Sequence, residues 1–149
     1  MQQERLRLVR ETWRDIEPDA AAAGYFYDKL FELDPAARAL FAATDMAAQR
    51  SKVIEMLTRI VAATEDEERF VIQLAELGRR HAGYGVRAVD YDAVGVALLS
   101  MVERGLGERF TADVREAWAE TYRLIAGVML RAQGREGNVV HGSVAASRG

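Results

Sequence analysis

One histidine lies within the periodic part of the chain, on the apolar side of a predicted helix. The helical spacing i, i+4, i+7, i+11 places four residues on one face: Phe70, Leu74, Leu77 and His81. An imidazole on such a face loses water from both ring nitrogens, and a backbone carbonyl one turn earlier can accept a hydrogen bond from only one of them. The other nitrogen is a candidate metal ligand, although a lone histidine in this setting is more often a core residue with ordinary hydrogen bonds.

Two uncharged polar residues also lie on apolar helical faces. Tyr27 shares its face with Leu30 and Phe31, and Gln49 begins a stripe that continues through Val53. Taken singly, a core tyrosine with its hydroxyl near the surface and an exposed first-turn glutamine explain them. A phenol and an amide on one side and the imidazole of His81 on the other are the groups that a flat, metal-bearing cofactor with a small polar ligand would require.

Composition narrows the classes of function. The length of 149 residues predicts one domain. The chain has no cysteine, which excludes thiolate ligands, iron–sulfur clusters and disulfides. Its formal charge is -3. The charge leaves no basic surface for nucleic acid, so we expect no nucleic-acid partner. No signal peptide or membrane-length apolar stretch is evident, and we therefore expect a cytoplasmic protein without a membrane partner. There is no His-Glu-x-x-His motif and no strand-turn-helix serine, which disfavours metalloprotease and hydrolase functions.

The pattern predicts an all-α fold. The first predicted helices are Leu6–Ile16 and Ala20–Leu33, followed by a short turn from Asp34 to Phe41. A corner and cap at 42–45 begin a long helix, and a capping box at Thr64–Glu67 begins the histidine helix, which stops at Gly83 and Gly85. Asp90 caps the next helix, a break follows at Gly105 and Gly107, and Thr111 caps the last helix. The last helix fades near Gly134. We expect a domain over residues 1–133 and a disordered tail over 134–149, which contains His141.

The chain resembles a bacterial single-domain globin and is similar to the globin portion of flavohemoglobins. The resembling segments follow the family's order over about residues 3–133: Tyr25–Pro35, Phe41, Gln49–Val53, Leu77–Val86, Tyr91 and Ala117–Trp118. The resemblance implies the globin fold, in which crossed helices surround a haem pocket, and haem b as the cofactor.

Positions that match the family take their roles from the resemblance. His81 is expected to be the proximal iron ligand, Phe41 the aromatic residue at the corner against the porphyrin, and Tyr27 with Gln49 the distal pair. The remaining expected haem contacts are Val53 and Leu57 on the distal side, Leu77, Val86 and Val94 near the ring, and Lys52 and Arg80 at the propionates.

The chain also departs from the flavohemoglobin pattern. Val53 replaces a leucine, and no flavin or nicotinamide domain is expected to follow. In flavohemoglobins a tyrosine and a glutamate polarise the proximal histidine. Tyr91 matches the tyrosine, whereas the glutamate position falls on Gln133, with Glu136 as the other residue that could reach the proximal side. Because an amide carries no charge, electron donation towards iron should be weaker.

The resemblance implies reversible binding of oxygen, or of nitric oxide or carbon monoxide, at five-coordinate iron, for oxygen transport or sensing. One alternative is an enzyme, a nitric oxide dioxygenase that uses a separate reductase. A second alternative is a haem-free helical interaction module, because a fold does not fix a function. The sequence leaves the oligomeric state open.

Overall fold

The computed structural model describes residues 2–16, 18–83 and 88–141, with side chains described for 3–16, 18–82 and 90–133. Its regular elements are all helical: α1 (Gln2–Ile16), α2 (Ala20–Leu33), a 3₁₀ helix (Pro35–Phe41), α3 (Met46–Ala63), α4 (Glu67–Gly83), α5 (Ala88–Leu106), a second 3₁₀ helix (Gly107–Arg109) and α6 (Ala112–His141). The predicted all-α class is confirmed.

Side-chain caps fix where several helices begin. The Asp45 carboxylate accepts hydrogen bonds from the backbone N–H groups of Ala47 and Ala48, so the predicted corner and cap before α3 are confirmed. The Thr111 hydroxyl accepts from the N–H of Val114 at 3.3 Å, as predicted for α6. Both caps satisfy backbone donors that have no partner within the first helical turn.

The predicted capping box at Thr64 is wrong. Asp66 caps α4 instead, because its carboxylate accepts from the backbone N–H of Arg69 at 3.3 Å. The hydroxyl of Thr64 donates to the carbonyl of Val61 at 2.6 Å and so belongs to the end of α3. The side chain thus satisfies a carbonyl in the last turn of one helix, and the turn between the two helices occupies the residues that follow.

Two predicted boundaries of α5 are also displaced. Asp90 does not precede the helix but lies in its first turn, where it is buried. Gly105 lies inside the helix, and the break comes at Gly107, whose φ of 59° is the left-handed conformation that glycine adopts at little cost.

The described core divides into two clusters of buried apolar side chains. The larger one joins α1, α2, α3, α5, α6 and the first 3₁₀ helix and contains the ring pair Trp13 and Trp118, whose centroids are 5.9 Å apart. The smaller one lies mainly between α4 and α6 and includes Leu74 and Met129. Met56 of α3 packs against both clusters. The histidine helix and the Tyr27 helix therefore contribute to different parts of the core.

The last helix continues through His141, beyond the predicted weakening at Gly134. The division into a domain over 1–133 and a tail over 134–149 remains a prediction. None of the helices in the described part of the chain is long and apolar enough to cross a membrane.

Candidate functional site

The structure brings Tyr27 and Gln49 into direct contact. Tyr27 lies on α2 and is only 4% exposed, while Gln49 lies in the first turn of α3, directly after the Asp45 cap. The amide Nε2 of Gln49 donates a hydrogen bond to the Tyr27 hydroxyl oxygen at 3.0 Å. A residue pair 22 positions apart in the chain thus forms a polar contact between α2 and α3.

Aromatic side chains hold the Tyr27 ring in place. Its centroid lies 5.0 Å from that of Phe26, 6.0 Å from that of Phe31 and 5.4 Å from that of Phe41. Burial raises the pKa of the Tyr27 hydroxyl, and the hydrogen bond from Gln49 acts in the opposite direction. The phenol therefore keeps its proton at neutral pH and can act as a hydrogen-bond donor.

Several residues predicted to line a cofactor pocket pack in the same cluster as Tyr27. Val53 is buried, and Phe41, Leu57 and Val94 are half-buried against the cluster. Lys52 is exposed, beside Val53 on α3. The Tyr27 hydroxyl is therefore surrounded mainly by apolar side chains.

His81 stands near the end of α4 and is half-buried. Its Nδ1 lies 2.8 Å from the carbonyl oxygen of Leu77. Because a carbonyl can only accept, Nδ1 is the protonated nitrogen, and Nε2 carries the lone pair that a metal ion requires. Burial lowers the pKa of His81, and the charge of Arg80 lowers it further, while the Leu77 hydrogen bond acts in the opposite direction. The imidazole is therefore neutral at neutral pH, the form that coordinates metals.

Two residues from later helices meet behind His81. The ring of Tyr91 lies 6.5 Å from the imidazole ring, and the Tyr91 hydroxyl donates to Oε1 of Gln133 at 2.8 Å. Burial raises the pKa of Tyr91 to about 12, and the charge of Asp90 contributes to the shift. The Tyr91 phenol is thus neutral, and the group that accepts its hydrogen bond is a neutral amide. The side chain of Glu136 lies outside the described residues.

The other residues predicted to contact haem on the His81 side differ in their burial. Leu77 is buried in the smaller cluster, together with Tyr91. Arg80 is exposed and forms an ion pair with Glu76, one turn earlier, at 3.5 Å. Val86 lies outside the described residues.

Sequence reasoning missed Tyr122, which helps to fix the position of Tyr91. The Tyr122 hydroxyl donates to the backbone carbonyl of Tyr91. Burial, with contributions from Tyr91 and Asp92, raises the pKa of Tyr122. A Cβ atom on Gly95 would lie 2.7 Å from the Tyr122 ring, so the ring packs directly on the glycine. The sequence signal for this contact was Gly95, an isolated glycine within a predicted helix, which indicates close packing at that position.

The donor set and its surroundings fit a haem group. His81 lies on α4, whose buried residues belong to the smaller cluster, and Tyr27 lies on α2, whose buried residues belong to the larger one, with half-buried apolar side chains packed against both clusters. A porphyrin needs apolar walls for its faces and cations for its propionates, and Lys52 and Arg80 are exposed at the surface. The residues present are those that would hold such a ring through one axial ligand.

Comparison with known proteins bears on the family of the chain. A model of the globin family matches residues 24–129. Neuroglobins from Danio rerio and Dissostichus mawsoni are each 27% identical over 144 residues, which cover 87% of this chain and 91% of the relative. A neuroglobin from Tetraodon nigroviridis is 28% identical over the same coverage. These relatives are neuroglobins, not flavohemoglobins, and the narrower bacterial likeness remains a prediction.

Proposed function

The chain belongs to the globin family, and on this premise we propose that it binds haem b and reversibly binds oxygen or another diatomic gas. One observation carries the proposal. Gln49 donates a hydrogen bond to Tyr27, which lies in the larger apolar cluster, and the Nδ1 of His81 is committed to Leu77, which lies in the smaller one. Haem, when bound, supplies an iron atom that takes up a diatomic gas reversibly.

On the proximal side, His81 would bind the haem iron. The hydrogen bond between its Nδ1 and the Leu77 carbonyl orients the ring and leaves Nε2 as the coordinating nitrogen. Lys52 and Arg80 would pair with the propionates. Arg80 would then exchange a surface ion pair with Glu76 for another carboxylate, which costs little because exposed pairs contribute about 0 to 1 kcal/mol.

Apolar residues would hold the faces of the ring. Phe41, Leu57 and Val94 are half-buried against the larger cluster and would become covered when haem binds, whereas Val53 and Leu77 are already buried. A contact from Val86 is proposed from the family resemblance alone. Haem should therefore stabilise the folded chain, because it covers apolar surface that otherwise faces water.

On the distal side, the direction of the Gln49 hydrogen bond gives Tyr27 its role. The phenol oxygen accepts from Gln49 Nε2, so its own proton can be donated to a small ligand in the distal space. A hydrogen bond to a partly charged acceptor contributes about 1.5 to 3 kcal/mol, and 1.4 kcal/mol corresponds to a factor of ten in an equilibrium constant. Tyr27 should therefore slow oxygen release by roughly tenfold to a hundredfold.

Nitric oxide dioxygenation with a separate reductase is the enzymatic alternative. It would benefit from strong electron donation by the proximal histidine, but the group behind Tyr91 is the neutral amide of Gln133. We therefore favour reversible gas binding. Sustained consumption of nitric oxide by the purified protein, with oxygen and a supplied reductase, would favour the enzyme instead.

Visible absorption spectra of the purified protein test the proposal. We expect a Soret band that shifts when carbon monoxide is added to the ferrous form. His81→Gly should lose the band or change it strongly, and added imidazole should restore it. The matched control is His141→Gly, because His141 is the only other histidine, and it should leave the spectra unchanged. A His81→Gly protein with the parent's ferrous and carbon monoxide spectra would contradict the ligand assignment. A parent that takes up no haem would favour the haem-free interaction module.

A further inference from the structure

The outward side of α4 carries a stripe of four residues opposite to the face of His81. The stripe follows the spacing i, i+4, i+7, i+11 and consists of Glu68, Ile72, Ala75 and Arg79. Ile72 is 58% exposed, the largest value among the exposed large hydrophobic residues of the described chain, and its neighbour Val71 is 42% exposed. A β-branched apolar residue thus stands in water on a helix whose opposite face buries Phe70, Leu74 and Leu77.

The order of charges along this stripe is self-complementary. It reads acidic, apolar, apolar, basic from the N-terminal to the C-terminal end, and a second copy in the antiparallel direction reads the reverse. The 11 positions between Glu68 and Arg79 span about 16 Å along the axis in either copy, so each carboxylate would face a guanidinium. Among the described side chains neither residue has an ion-pair partner, whereas Glu76 and Arg80 pair within the helix at 3.5 Å.

We propose that the α4 stripe is a self-association surface, which pairs antiparallel with the α4 stripe of a second copy about a two-fold axis. Two-fold symmetry would form each contact twice, with Glu68 opposite the partner's Arg79 and Ile72 opposite the partner's Ala75. The small side chain of Ala75 leaves room for the large Ile72, which lets the helix axes approach closely.

The size of the surface predicts a weak and reversible dimer. Stable interfaces bury roughly 1,200 to 2,000 Å², and one pair of helices supplies less. We therefore expect association at high protein concentration that weakens with added salt, because the charge pairs lie at the exposed ends of the stripe. The interface is on the opposite side of α4 from His81, and the inference does not depend on haem binding.

Sedimentation velocity of the full chain, from about 1 µM to about 1 mM, tests this inference. The parent should shift from monomer to dimer within this range. Glu68→Arg or Arg79→Glu should each weaken association by about tenfold, and the double variant Glu68→Arg/Arg79→Glu should restore it, because the pairs reform with exchanged signs.

Removal of the exposed apolar residue gives a second measurement with a matched control. Ile72→Gln should weaken association, whereas Val96→Gln, at a residue 51% exposed on α5 and outside the stripe, should not. All of these side chains are exposed, so the variants should keep the parent's helical circular dichroism. A parent that stays monomeric throughout, or a charge-exchanged double variant that associates no better than the single ones, would overturn the proposal.

Discussion

The sharpest test of the distal site separates a direct contact with the ligand from an indirect one. Gln49 Nε2 donates to the Tyr27 hydroxyl oxygen at 3.0 Å, which predicts that Gln49 acts mainly by orienting the phenol. Tyr27→Phe removes the hydroxyl but keeps the ring that contacts Phe31 and Phe41. Gln49→Leu removes the orienting amide but keeps a side chain of similar size.

The expected magnitudes follow from the hydrogen bonds that each change removes. Tyr27→Phe should lose about 1.5 to 3 kcal/mol of ligand stabilisation, which is roughly tenfold to a hundredfold in the oxygen dissociation rate. Gln49→Leu should lose about 1 kcal/mol, or roughly fivefold, because the phenol remains but is no longer held in one orientation. In the Tyr27→Phe protein, Gln49→Leu should change the rate by less than about twofold.

The assay is the oxygen dissociation rate of the reconstituted protein, measured for the parent, the two single variants and the double variant. Gln49 is half-exposed, so water can replace the partner it loses when the hydroxyl is removed. If the effects of the two substitutions multiply in the double variant, Gln49 contacts the ligand independently and the orienting role is wrong. If Tyr27→Phe leaves the rate unchanged, the phenol is not a donor to the ligand.

Three further predictions concern the proximal half of the molecule. Gly78→Ala should destabilise the fold by about 1 to 3 kcal/mol in chemical denaturation, because the added Cβ would lie 2.6 Å from the backbone oxygen of Met129 and force α4 and α6 apart. An unchanged free energy of unfolding would mean that the two helices can separate at no cost. Gln133→Glu should lower the reduction potential of the reconstituted protein in spectroelectrochemistry, because a carboxylate would replace the amide that accepts from Tyr91 at 2.8 Å; an unchanged potential would exclude this electronic path. Burial raises the pKa values of Tyr91, to about 12, and of Tyr122 above the ordinary tyrosine value near 10. A group whose pKa is raised in the folded state contributes stability that is fully present below pH 10 and is lost as the pH rises from about 10 towards 12. The free energy of unfolding should therefore fall over this interval, and it should fall less in Tyr122→Phe. Urea denaturation at several pH values would measure both.

Local features of the sequence predicted the elements that carry the site. The apolar spacing that led to His81 is the buried face of α4, on which Leu74 is fully buried and Leu77 nearly so. Asp45 marked the start of α3 correctly, because a cap depends on backbone donors two and three residues away. Since that cap sets the first turn of α3, it also sets the position of Gln49. The spacing of a few residues was sufficient for each of these predictions.

Features that depend on how helices cross could not be read in the same way. Tyr91 and Gln133 are 42 residues apart, and their hydrogen bond exists only because α5 and α6 pack together in one register. Periodicity gives the face of each helix, not the residue that it meets, so the sequence left Gln133 and Glu136 as alternatives. The same crossing brings the Tyr122 ring onto Gly95, a contact between α5 and α6 that the periodicity within either helix does not predict. The capping box failed for a related reason, because Thr64 and Asp66 are both suitable caps and the turn geometry chose between them.

The protonation states of the buried groups bear on which ligands the site would accept. Burial acts on His81 and Tyr27 in opposite directions, lowering the pKa of the base and raising that of the acid, and the result for both is the neutral form. The amides of Gln49 and Gln133 carry no charge, and Lys52 is exposed. An anion placed against Tyr27 and Gln49 would lose part of its hydration and meet neutral groups there, whereas an uncharged diatomic molecule would lose little. We therefore expect the protein to discriminate against anionic ligands such as cyanide in the ferrous state, and to bind neutral gases through the single donor that the Tyr27 hydroxyl supplies.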